Sequence, residues 1–420
     1  MRKRITHSNK IAILLAMAII ASSDLRVSLA APSDQPLIQQ SDLVYQGAFR
    51  VPQIGLAADA NSYNYGGTSL GYNPANNSLY IVGYDWQQYL GEISIPEIRN
   101  SATISSLATA TELQHLTDAT EGKLNSINPP DTNAHKIGGT LVYNNNLYLT
   151  GFSYYDGAGT QSTSHFARPL NLSTTGQVKG PYLVGTNPHF VNGYMTQIPS
   201  EWQSVFGGPA LTGKCCLAIV SQQSSGPAAL VFNPSNVGAL NPVPATPIVG
   251  YPIDHPLGPG WGTTNNLFNG TTNITGIIFP VGTRSVLFFG RHGVGTWCYG
   301  PGADCNDPAD SSKGTHAYPY KHQVWAYDAN DLLAVKNGTK QQWEIQPYAV
   351  WNFTLPFDGT GGMMQIGGAA YDARTGHIYL SQLITDALNT PIIHAFKVSV
   401  VTAPPTDTTP PSAPSRLRIR

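Results

Sequence analysis

Charge is what this sequence has least of. Asp, Glu, Lys and Arg make up 11% of its 420 residues, against about 25% in an average domain. The 23 basic and 24 acidic residues leave a formal net charge of −1, so no global field favours nucleic acid or an anionic membrane surface. Long apolar runs are missing too. Ile11 to Ser22 is a stretch of twelve residues, too short to cross a bilayer as a helix. Arg2, Lys3, Arg4 and Lys10 precede it, and Ser28-Leu29-Ala30 puts small residues at the −3 and −1 positions of a cleavage site. Residues 1–30 are therefore expected to be an export signal, with an uncleaved anchor as the alternative. The mature chain is expected to be secreted or held at the cell surface, without a membrane span.

Cysteine is sparse, with four residues. The number is even, as suits an exported chain. Cys298 and Cys305 bracket a Gly/Pro-rich loop and could close it, while Cys215 and Cys216 are adjacent. Three pairings are open. No CxxC or HxxxH spacing accompanies them, which argues against zinc.

What the chain does have is 42 Gly, 32 Pro and 21 Tyr, the balance of a turn-rich β protein. A pattern recurs about every 70 residues, with one interval near 90. Gly-Gly or Thr-Gly leads into a short apolar strand, a turn and a second apolar strand. Gly66-Gly67, Gly138-Gly139, Gly207-Gly208, Thr275-Gly276 and Gly367-Gly368 open the five units. A third strand follows each pair: YLGEISI, SHFARPL, AALVFN, HQVWAYD and IIHAFKV. A weaker fourth follows all but the last, and DLVYQGAFRV at 42–51 could complete that final unit from the other terminus. Such closure leaves no open sheet edge.

The expected fold is all-β, a five-bladed β-propeller over residues 41–401 closed by an N-terminal strand. Six or seven blades, or a β-sandwich, are the alternatives. Short helices are expected at Ser200 to Phe206 and Asn330 to Lys336. In this pattern the chain resembles secreted five-bladed β-propeller proteins. Residues 402–420 read as a Pro-rich linker, and Asp407 to Pro414 followed by Leu417 resembles the start of a fibronectin type III domain.

If the Gly-Gly strand is innermost, the residues before it share one rim with the loop between strands two and three. The first set contains Tyr63, Tyr65, His135, Lys136, Trp202, Asn273 and Gln365. The second contains Tyr84, Asp85, Trp86, Tyr154, Tyr155, Asp156, Arg291, His292 and Asp386. Aromatics, amides and cations dominate. No inner strand begins with Asp or Glu, which disfavours a two-carboxylate glycosidase.

Tyr65, Asp85, Trp86, Lys136 and Gln365 are the candidate ligand-binding residues. His135, Tyr154, Tyr155, Arg291 and His292 are the candidate catalytic ones. Together they suit glycan binding, by stacking on sugar rings and bonding to hydroxyls. They also suit β-elimination from a uronic acid, in which a cation neutralises the carboxylate and His or Tyr moves the protons. Arg291-His292-Gly293 resembles the motif of histidine phosphatases, but that motif opens an α/β fold and no βαβ pattern surrounds it here. Asp304, Asp307 and Asp310 on the Gly-rich insertion could hold a structural calcium, and no other cofactor is expected. The expected partner is an extracellular polysaccharide or glycan, met by a monomer.

Overall fold

Five antiparallel sheets of four strands make up the fold in a computed structural model that describes residues 31–54, 61–128, 135–216, 223–358, 364–385 and 389–400. The segment expected to be an export signal, 1–30, and the expected linker, 402–420, lie outside the described residues. No helix among the described residues is long and apolar enough to cross a membrane.

The chain enters through β1 (Leu43–Arg50). Blade one is β2 (Leu70–Asn73), β3 (Ser78–Val82), β4 (Leu90–Ser94) and β5 (Glu112–Thr117). Blade two is β6 (His135–Tyr143), β7 (Asn146–Ser153), β8 (His165–Pro169) and β9 (Lys179–Tyr182). Blade three is β10 (Met195–Gln197), β11 (Ala210–Thr212), β12 (Ala229–Phe232) and β13 (Ala245–Val249). Blade four holds β14 (Asn273–Ile278) and β15 (Ser285–Gly293), then the inserted hairpin of β16 (Cys298–Pro301) and β17 (Lys313–His316). It finishes with β18 (Tyr320–Asp328) and β19 (Ala349–Phe353). Blade five is β20 (Ile366–Asp372), β21 (His377–Gln382) and β22 (Ile392–Val398), with β1 as its outermost strand. The inner strands pack in a closed circle, β2 on β6, β6 on β10, β10 on β14, β14 on β20 and β20 back on β2. The fold is thus the five-bladed propeller expected from the repeat.

Burial follows position in the blade. Every residue of β3 and β12 is buried, whereas the outer strands β9 and β19 are not. A middle strand has a neighbouring blade on each face, so it reads as a continuous apolar run rather than an alternating one. Most of the Gly-Gly pairs serve close approach between inner strands. A Cβ on Gly138 would meet the carbonyl oxygen of Asn192, and one on Gly139 that of Gly193.

Blade three departs from the expected register. Gly207-Gly208 does not open the inner strand, because it ends α1 (Ser200–Phe206). Gly207 is the left-handed C-cap at φ 76°, and its N–H donates to the Gln203 carbonyl at 2.8 Å. Such a cap favours glycine because a side chain there strains the backbone. The inner strand is instead β10, and the segment expected as the second strand, CLAIVS, falls largely on residues outside the described set. The second short helix is α2 (Ala329–Lys336). It is capped by Asp328, whose carboxylate accepts from the Asn330 N–H at 3.0 Å.

Candidate functional site

One cavity of about 430 Å³ opens at the centre of the ring. Its wall comes from two places in each repeat, just before the inner strand and just after the second strand. Before β2 stand Tyr65 and Thr68, within β6 is Lys136, and before β20 is Gln365. After β3 come Asp85 and Trp86, after β7 Tyr154 and after β11 Lys214, while Arg291 lies near the end of β15.

Strand alternation decides which neighbours reach the cavity. Lys136 and Phe152 are register partners across β6 and β7, and both line it. Asn273 and Arg291 are partners across β14 and β15, and both line it. The residues one step away face elsewhere. His135, 3% exposed, is buried and not part of the wall. His292 is fully buried, with Nδ1 at 2.8 Å from the Thr272 hydroxyl and Nε2 at 2.6 Å from the Asn265 carbonyl. A ring held at both nitrogens and sealed from solvent cannot act as the phosphorylated histidine of the phosphatase motif. Tyr155 is 56% exposed outside the cavity, its ring edge-on to Tyr154 at 4.9 Å.

The acidic wall of the cavity is already committed. Asp85 accepts from Lys136 Nζ at 2.7 Å, and the Gln88 amide bonds the same carboxylate at 3.0 Å. Gln88 Oε1 in turn accepts the Ile137 N–H at 2.7 Å, which ties blade one to blade two at the rim. Trp86 stands 59% exposed over this pair. It is edge-on to Tyr65 at 5.6 Å, tilted to Tyr84 at 5.4 Å, and Lys136 Nζ is 5.5 Å from its ring centre. Across the cavity the Arg291 guanidinium lies over the Tyr320 ring at 4.6 Å. Tyr154 has its hydroxyl pKa raised, chiefly by burial and then by Tyr155, so it is a protonated donor at neutral pH.

Three of the other rim expectations have structural posts. Trp202 sits in α1 between strands one and two of blade three, which is the opposite end of the blade; it is buried, and its indole N–H donates to the Thr283 carbonyl at 3.0 Å. Tyr63 is buried, with its hydroxyl donating to Glu112 at 3.2 Å. Asp156 is buried against His189 at 3.0 Å and accepts the Thr160 and Gln161 N–H groups. Tyr84 lies beside Trp86, and Asp386 lies outside the described residues. Phe152 and Lys214 were not among the expected site residues, and Asp310, expected as a calcium ligand, instead lines the cavity. Lys214 was hidden by the register error in blade three, since correct counting places it in the loop after strand two.

The insertion is organised by its own contacts. Cys298 pairs with Cys305, and Cys215 with Cys216. Asp307 accepts from Tyr320 at 2.5 Å and lies 2.7 Å from His316 Nδ1. Asp310 accepts from the Ser312 hydroxyl at 2.6 Å, and Asp304, Asp307 and Asp310 form no metal-holding group among the described residues, against the calcium expectation. No group of three His, Cys, Asp or Glu among the described residues could hold a metal ion.

No family profile and no curated protein matches this sequence. Among solved structures the chain is similar to a putative glycoside hydrolase from Parabacteroides distasonis, at 10% identity and a TM-score of 0.42 over 89% of this chain and 99% of that one. It is also similar to the native Bacillus subtilis arabinanase, at 11% identity and a TM-score of 0.43 over 84% and 96%. An exo-1,5-α-L-arabinanase from a bovine ruminal metagenomic library gives 10% identity and a TM-score of 0.41 over 82% and 95%. The five-blade assignment rests on the strand pairing of this chain itself.

Proposed function

We propose that the protein engages extracellular carbohydrate in the central cavity, as a glycan-binding or adhesion module. One observation carries this reading. Tyr65, Trp86, Phe152 and Tyr154 meet in a single cavity with the Asp85–Lys136 pair, Arg291 and Gln365. Aromatic faces suit the apolar faces of sugar rings, and fixed donors and acceptors suit their hydroxyls. The volume, about 430 Å³, lies within the range of small-ligand sites, about 300–1,000 Å³.

β-Elimination fits the cavity less well. Neither His135 nor His292 lines it, and Lys136 is already neutralised by Asp85 at 2.7 Å. Calorimetry with neutral and uronate oligosaccharides tests the proposal. Saturable binding is expected, with Trp86→Ala weakening it about tenfold, or about 1.4 kcal/mol. No binding across the panel, or binding untouched by both Trp86→Ala and Arg291→Met, would sink it. Release of an unsaturated, ultraviolet-absorbing product would replace binding with the lyase reading.

A further inference from the structure

The least expected group in the cavity wall is an amine. Lys214 is 6% exposed and follows β11 on the rim of blade three. Its Nζ sits 3.5 Å from the centre of the Phe152 ring. Its stem lies against Gly193, where a Cβ would stand 2.5 Å from Lys214 Cδ. Lys136, in the same wall, has Asp85 at 2.7 Å. No carboxylate counter-charge acts on Lys214 among the described residues, and burial pulls its ammonium from the usual 10.5 to about 7. Tyr65, Asp85, Lys136, Tyr154, Tyr194, Arg291 and Asp310 are the titratable groups sharing the cavity. Of these, Tyr194 is spent on the Ala228 carbonyl at 3.0 Å and Asp85 on Lys136. A lysine lowered in this way holds a far larger share of free amine near neutral pH than an exposed one, which is free amine in only about one part in a few thousand. Desolvated lysines of this kind are nucleophiles toward carbonyl carbon.

We propose that Lys214 captures a carbonyl group inside the channel, its Nζ condensing with the aldehyde or ketone of a ligand to form an imine. The identity of that ligand rests on the carbohydrate reading, which makes the carbonyl the open-chain form of a reducing sugar end. The nitrogen lone pair attacks the carbonyl carbon and a proton passes from nitrogen to oxygen, giving a carbinolamine. Loss of one water leaves C=N, and the same water returned releases the ligand. No oxidant or reductant takes part.

Glycolaldehyde with cyanoborohydride, applied to the whole protein, tests this. The reductant converts an imine to a stable hydroxyethyl-lysine, read by peptide mass mapping. At pH 7 Lys214 is expected to react at least about tenfold faster than the exposed Lys179, Lys313 and Lys397. Its rate should level off above about pH 7 while theirs keep climbing. Lys214→Met, checked for folding by circular dichroism, should lose the label at that peptide and keep it at the exposed lysines. Labelling of Lys214 no faster than the exposed lysines, or with a parallel pH profile, overturns the proposal. Labelling in a protein that binds no glycan keeps carbonyl capture and removes the sugar as its ligand. Glycan binding with an unreactive Lys214 removes capture and leaves the function standing.

Discussion

Several buried ionisable residues of the blades, unlike Lys214, are matched by hydrogen-bond partners. Glu92 is fully buried in blade one. Burial pushes its carboxyl up, but hydrogen bonds from Ser78, Gln114, Asn76 and Asn73 outweigh it and hold the pKa below the usual value. Arg168 is 2% exposed and donates to the carbonyls of Ala119, Asn171, Leu172 and Thr174, so its charge is met by backbone dipoles. His165 and His394 are buried, and burial lowers both to about 3, with His322 adding to the shift at His394. His165 joins Ser164 at 2.8 Å to Thr212 of blade three at 3.0 Å. In the unfolded chain such a histidine takes a proton near pH 6.5. Its stabilising contribution is therefore present above about pH 6.5 and is lost as pH falls toward 3. The melting temperature is expected to drop across that window, and His165→Gln to flatten the drop. Calorimetry between about pH 6.5 and 4.5 isolates the histidines from the depressed carboxylates, which titrate lower. A slope unchanged in both His165→Gln and His394→Gln would contradict this account.

Helix α1 shows how one element can mislead a pattern. Gly-Gly marks close approach of inner strands in blade two and terminates a helix in blade three. The local composition is the same, and only the strand pairing tells them apart. Trp202 anchors this helix at 1% exposure, stacked obliquely on Phe206 and Phe279 at 5.7 and 5.8 Å. Its N–H also reaches Gln35 at 2.9 Å, pinning the N-terminal segment to blade four's neighbour. Trp202→Ala should cost about 3–5 kcal/mol of unfolding free energy in urea. Trp202→Phe should keep most of the packing and cost closer to about 1–2 kcal/mol. Equal losses would show that the hydrogen bonds, not the buried ring, hold the helix.

Closure of the ring is a property of the whole molecule. β1 pairs antiparallel with β22 from Leu43 against Val398 to Arg50 against Ile392, with a bulge between Tyr45 and Gly47. The terminal strand thus covers the edge that β22 would otherwise expose. Gly47 is at φ 131°, and a Cβ there would collide with the backbone of Arg99. Gly47→Val should therefore lower stability by more than about 2 kcal/mol, through a strained backbone and loss of the closing register. Size-exclusion chromatography should also show association through the freed edge. A variant as stable and monodisperse as the parent would show that closure does not depend on this bulge.

The number of blades and the terminus that completes the last one were legible in the chain, because a strand buried on both faces must be written as a short apolar run and turns must be written in Gly, Pro and Asn. The rim was legible only as positions. Tyr65, Asp85, Trp86, Lys136, Tyr154, Arg291 and Gln365 meet there, whereas His135 and His292 sit one residue off, buried and outside the cavity wall. A one-residue step reverses the side of a strand, and sequence cannot count that step where bulges intervene, as at Ile137–Gly139 and Ile274–Gly276. Lys214 needed the tertiary structure most. Its character comes from the Phe152 face of the neighbouring blade and from burial, and neither is written within its own segment.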